Sequence, residues 1–142
     1  MEYLQCKSNE YEIDLALRNR CTIICGDSAT GKTFLFQILK NIENLKGVYT
    51  VNYSSVKSYE NYYATVDYIK RSAGKIIIID QADDVQTLYN DELMYAINID
   101  SQNTFIIIGR APKLVYNYSD VAEISIENNR ITLRYLMPEP LF

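Results

Sequence analysis

The run Gly26-Asp27-Ser28-Ala29-Thr30-Gly31-Lys32-Thr33 constrains this chain more than any other stretch. The apolar segment Cys21-Thr22-Ile23-Ile24-Cys25 leads into it. Phe34, Leu35, Ile38, Leu39, Ile42 and Leu45 follow at helical spacing, and Gly47 closes them. A strand that stops at a glycine, turns, and restarts as a helix aims backbone N–H groups and a helix N-terminus at one point. That point suits an anion. The run matches G-x-x-x-x-G-K-[ST] without a mismatch. In that pattern the lysine reaches β- and γ-phosphates and the hydroxyl residue ligates Mg²⁺. Gly26 to Thr33, together with Phe34, form the expected nucleotide-binding set, with ATP and Mg²⁺ as the expected ligands. No NKxD-like motif for reading guanine occurs, which points away from GTP.

The rest of the chain alternates strands with helices. Residues 2–6 and 10–17 alternate weakly around Lys7-Ser8-Asn9 and read as a hairpin. Residues 48–53 and 76–80 read as core strands, as do residues 104–108. Residues 58–71 read as a helix with Tyr59, Tyr62, Tyr63, Val66 and Ile69 on one face. Residues 87–99 read as another, with Leu88, Leu93, Tyr95 and Ile99 apolar. Residues 121–126 and 131–136 flank Asn128-Asn129 and read as a second hairpin. The expected fold class is α/β: a mostly parallel sheet with helices on both faces, plus an N-terminal and a C-terminal β-hairpin. Ligands of such sheets bind at the C-terminal strand tips. Gly26, Asp80 and Arg110 are therefore expected to gather at one edge.

Lys75 precedes Ile76-Ile77-Ile78-Ile79 and then Asp80, an acid at a strand tip. Such an acid holds the Mg²⁺ shell of a bound triphosphate, or else caps the next helix. CTIICGDSATGKTFL followed by KIIIIDQADD resembles the additional-strand P-loop ATPases, the branch that holds AAA-type, STAND-type and ABC-type ATPases. The resemblance covers about residues 21–110 and implies a P-loop nucleotide-binding domain, here taken as residues 1–142. It also implies that the strand after Asp80 lies between the two strands that precede Gly26 and end at Asp80. FIIIGR, Phe105 to Arg110, is similar to that strand, with Arg110 near the γ-phosphate. The resemblance expects Glu directly after Asp80 to polarise the attacking water, and the chain has Gln81. An amide cannot take up a proton, although a glutamine can orient water. Asp83 and Asp84 lie nearby as substitute carboxylates. The AAA lid domain and an LSGGQ-like signature are both lacking.

Charge and residue usage narrow the function. The net charge is −4 and the pI about 4.8, so nucleic acid is not the expected main ligand. There is no histidine, which excludes Ser-His-Asp and Cys-His catalysis and histidine-ligated zinc. The three cysteines form no CxxC pair. No apolar run reaches the roughly 20 residues of a membrane span, and the N-terminus does not read as a signal peptide, so the expected location is the cytoplasm. Tyr59, Tyr62, Tyr63 and Tyr68 are expected to pack a helix on the sheet. Tyr3 or Tyr11 could stack on adenine, as an aromatic does in ABC-type domains. The expected function is a slow ATPase or nucleotide-dependent switch acting on a protein partner or by self-association. The alternative is a non-hydrolysing module docked on a larger complex. A kinase ranks below both, because Arg110 is the sole arginine between residues 72 and 129 and kinases clamp the moving phosphate with several.

Overall fold

A computed structural model describes residues 2–8, 10–25, 31–42, 47–52, 59–80, 90–109 and 119–137. The described strands are β1 (Glu2–Ser8), β2 (Tyr11–Leu17), β3 (Cys21–Ile24), β4 (Val48–Asn52), β5 (Ile76–Asp80), β6 (Thr104–Ile108), β7 (Ser119–Glu127) and β8 (Arg130–Tyr135). The described helices are α1 (Lys32–Asn41), α2 (Tyr59–Arg71) and α3 (Asn90–Ile99). All eight strands join one sheet in the order β1-β2-β8-β7-β3-β6-β5-β4.

This overturns the expected fold class. Strand residues outnumber helical ones, and the described helices are three and short. The sheet is mixed and curled, not a helix-rich, mostly parallel α/β sheet carrying two appended hairpins. The hairpins β1–β2 and β7–β8 are antiparallel, and they are structural members of the sheet: β2 pairs parallel with β8, and β7 pairs parallel with β3. The physical reason is their alternation. Leu4, Ile13, Leu15, Leu17 and Ile131 are all buried on one side, and a two-stranded ribbon cannot bury such a face alone. The pairing of β2 with β8 is non-local and leaves no local mark in the sequence.

The curl shows in one contact. The Thr104 hydroxyl donates a hydrogen bond to the Glu2 carboxylate, although β1 and β6 stand five positions apart in the sheet order. In a flat sheet that separation is roughly 24 Å. The hairpin wing therefore wraps α1. Leu35, Phe36, Ile38, Leu39 and Ile42 share one core with Leu4, Ile13, Leu15 and Ile131 from the wing and with Ile24, Ile78, Ile106 and Ile108 from the central strands. The opposite face of the central strands carries a second core, where Val66 and Ile69 of α2 and Leu93, Ala96 and Ile97 of α3 cover Ile23, Ile77, Ile79, Phe105 and Ile107. The convex face of the wing is open to water and bears the ion pairs Arg130–Asp14 and Arg134–Glu123, as befits an antiparallel ribbon with one wet face.

Element ends shift by a few residues from the sequence reading, and two helical faces differ. On α3 the buried row is Leu93, Ala96 and Ile97, so Tyr95 and Ile99 face outward. On α2 Tyr63 is exposed, while Tyr68 stacks on Tyr49 of β4 with ring centroids 3.8 Å apart. The side chains of Tyr59 and Tyr62 lie outside the described residues. Asn128 and Asn129 have φ of 51° and 62°, which is the left-handed pair of a two-residue hairpin turn.

A polar latch ties β2 to β7. Arg18 donates to both carboxylate oxygens of Asp120, at 2.9 and 3.2 Å, and Asn19 donates to the same group at 2.7 Å. Arg18 also lies over the Tyr135 ring, whose hydroxyl donates to the Ala16 carbonyl. Both side chains of the Arg18–Asp120 pair are only 10% exposed. Removing one partner of such a pair leaves the other charge buried and uncompensated. Asp120→Ala is expected to cost about 3 kcal/mol in urea unfolding. Asp67→Ala, which breaks the Arg71–Asp67 pair exposed at 70% and 61%, should cost under about 1 kcal/mol. Equal losses would show that the latch is not a buried ion pair in energetic terms.

Candidate functional site

The C-terminal strand ends form one row. Ile24 pairs with Ile108 and with Ala122. Ile79 pairs with Ile107 and Asn52 with Asp80. Asn52, Asp80, Ile108, Ile24 and Ala122 therefore lie side by side across β4, β5, β6, β3 and β7. Asp80 is two strands from Ile24, roughly 10 Å along the row. In the alternation of β5 it follows Ile76 and Ile78, which belong to the core that holds α1. Asp80 thus leaves the sheet on the face that α1 covers, and it is 2% exposed.

Lys32 is the first residue of α1 and is 7% exposed. The chain enters α1 through Gly31, whose φ of 87° is left-handed; a side chain there would be strained. Gly31 accepts the first helical hydrogen bond, from Leu35 N–H at 2.9 Å. Its position as N-cap supplies no capping side chain, and the first turn of α1 carries no acidic residue. The positive end of the helix therefore carries no compensating acid in its own first turn. A buried cation and a buried carboxylate both flank the strand-tip row, where neither persists without compensating partners.

Cys25 ends β3 beside these groups. Burial raises its thiol pKa, the Glu123 carboxylate raises it further, and the Lys32 ammonium lowers it. Glu123 follows Ala122, the partner of Ile24, and so stands next to Cys25 across β3 and β7. Cys25 N–H also donates to the Ala122 carbonyl at 3.1 Å, and Gly109 N–H to the Ile24 carbonyl at 3.1 Å.

Both hairpin turns reach the same edge. β2 begins there with Tyr11, and Glu12 N–H donates to the Asn129 carbonyl at 2.8 Å. Tyr11 meets Phe34 of α1 edge to face, with centroids 4.8 Å apart. Ser8, Glu10, Tyr11, Phe34 and Ile38 line a surface depression of about 480 Å³. Tyr3 lies toward the other end of β1, paired with Ala16, and is 55% exposed. Of the two aromatic candidates, Tyr11 is the one at the strand-tip edge.

The structure thus brings Gly31, Lys32, Phe34 and Asp80 to one edge. Gly26, Asp27, Ser28, Ala29, Thr30, Gln81, Asp83, Asp84 and Arg110 lie outside the described residues, as does the Thr33 side chain. Ile126, which lies against Gly31, is not legible as a site neighbour in the sequence, because the pairing of β7 with β3 sets its place. Among the described residues no group of three or more His, Cys, Asp or Glu forms a metal cage. Mg²⁺ bound with phosphates takes only one or two protein oxygens, and Asp80 and the Thr33 hydroxyl are residue types that fit that demand. No family model matches the chain, and no curated protein matches it in sequence.

The thiols give a direct check on this burial. Cys21 is fully buried and its pKa is pushed up to about 12 by burial. Only thiolate reacts with iodoacetamide. In the native protein at pH 8, mass spectrometry should find Cys21 unlabelled and Cys25 labelled more slowly than in urea. Rapid native labelling of Cys21 would contradict the placement of β3 at the centre of the sheet.

Proposed function

We propose that this chain binds a nucleoside triphosphate, ATP with Mg²⁺, and acts as a slow ATPase or nucleotide-dependent switch. The observation that carries the reading is Lys32: a buried cation at the first position of α1, entered through a left-handed glycine, with buried Asp80 in the adjoining strand-tip row on the same face. The sequence pattern around Lys32 supplies the chemistry, since backbone N–H groups and the helix end bind phosphate while the ammonium offsets its charge. Bound Mg²⁺ would neutralise phosphate charge there. Asp80 is the residue that would hold it together with Thr33. β6 is inserted between β3 and β5, and this supports the likeness to additional-strand ATPases.

The polarity of the bound nucleotide follows from the same arrangement. Asp80 lies toward the β5 side of α1, and Tyr11 with Phe34 toward the wing. The γ-phosphate belongs on the Asp80 side and the base on the aromatic side. Gln81 and Arg110 keep the roles of water-positioning and γ-phosphate-reading residues in this proposal. Among the described residues no helix is long and apolar enough to cross a membrane. No disulfide joins Cys6, Cys21 and Cys25, which supports a reducing compartment, the cytoplasm. A protein partner or self-association would receive the switch.

Calorimetry with Mg·ATP is the first test. Lys32→Ala should abolish binding, and Asp80→Ala should weaken the Mg²⁺-dependent part of it. If Lys32→Ala retains wild-type affinity, the phosphate-binding reading fails. For turnover, loss of a general base costs about 10²–10⁴-fold, so wild type should hydrolyse far below the ~10 s⁻¹ typical of enzymes. Gln81→Glu should speed hydrolysis at similar affinity. Brisk wild-type turnover with no gain in the variant would transfer the role to Asp83 or Asp84.

A further inference from the structure

We propose that Ile126 is a positioning residue for the phosphate site, holding the turn through which the chain enters α1. This rests on the phosphate-binding reading of Lys32. β7 does not stop level with β3. It pairs Ala122 with Ile24 and then runs five residues further, to Glu127. Those residues overhang the strand tip, and they are braced rather than free: Ile126 pairs with Ile131 of β8, and the hairpin turn accepts the Glu12 N–H at Asn129. The overhang ends against Gly31. A Cβ built on Gly31 would stand 3.3 Å from Ile126 Cδ1, so Ile126 fills the space a side chain at that position would need.

Gly31 adopts φ of 87°, and Lys32 follows directly. The direction of the Lys32 side chain and of the first N–H groups of α1 therefore depends on that turn. Ile126 is 43% exposed, far more than a residue present only for the core; its neighbours Ile131 and Ile13 are fully buried. An apolar side chain left half in water, at the end of a braced overhang, against a left-handed glycine, acts on the glycine. Displacing a binding group by a fraction of an ångström is felt strongly at such sites.

Calorimetry with Mg·ATP and with inorganic tripolyphosphate, on wild type, Ile126→Ala and Ile126→Leu, tests this. Ile126→Ala should lose about tenfold in affinity for both ligands, because the phosphate groups alone are misaligned. Its thermal midpoint should stay within about 2 °C of wild type, since little buried area is removed. Ile126→Leu, which keeps an apolar contact, should restore most of the affinity. Unchanged affinity in Ile126→Ala overturns the proposal, and so does a loss confined to ATP, which would make Ile126 a nucleoside contact. If Ile126→Ala is markedly less stable, the cycle with Gly31→Ala decides: contact demands non-additive affinity losses, and additive losses overturn it. Should wild type bind neither ligand, the Lys32 reading itself falls, an outcome distinct from binding that is intact but indifferent to Ile126.

Discussion

The rest of the molecule depends on the burial of α1 inside the curl of the sheet. A ten-residue helix is too short to hold itself in water, where about 12–15 residues are marginal. Its stability comes from Leu35, Phe36, Ile38, Leu39 and Ile42, each under a tenth exposed. Burying one such side chain is worth about 1.5–3 kcal/mol, several times any capping contribution available at Gly31. Only part of that surface is offered by the central strands. Leu4, Ile13, Leu15 and Ile131 supply the rest, and all of them belong to the hairpins. The wing is therefore what allows the chain to hold Lys32 at a defined place.

The same packing explains why charged groups are tolerated at the strand tips. Hydrophobic contact fixes α1 from its first turn and so fixes the backbone position of Lys32. Asp80 is held from the other side by four isoleucines that are under 7% exposed. Two ionisable groups are thus kept in poorly hydrated positions by the apolar residues adjoining them in sequence. Buried ionisable groups of this kind need polar partners close by.

Local signals were legible and non-local ones were not. The isoleucine runs at 76–79 and 106–108 announce buried strands because no polar residue interrupts them. Asn128-Asn129 announces its turn because only a left-handed pair closes a two-residue hairpin. Lys32 and Asp80 stand out because a motif and a strand tip mark them, and both are buried. The parallel pairing of β2 with β8 could not be read, since weak alternation such as Tyr11, Ile13, Leu15, Leu17 is compatible with any partner strand. That single pairing turned two expected appendages into one mixed, curled sheet. Which of the apolar residues of α3 are buried was not legible either: with apolar residues on two sides, the choice of buried face rests with what the helix packs against.

The two edges of the sheet divide the work between stability and chemistry. At the N-terminal end of β3 the polar groups are paired among themselves. Arg18 and Asn19 satisfy Asp120, and the Arg20 guanidinium donates to the Ile97 and Asp100 carbonyls at the end of α3. Asp100 in turn accepts from the Gln102 and Asn103 backbone, and Asn103 reaches Ser72 beyond α2. These bonds close the ends of both helices on one face and fix β3 from below. A network this closely bonded within itself contributes rigidity. At the opposite end, the positive terminus of α1 ends in a glycine with no capping side chain. The four residues between the two ends, Cys21, Thr22, Ile23 and Ile24, are fully buried, and the proposed phosphate site would need such a fixed base to align its N–H groups.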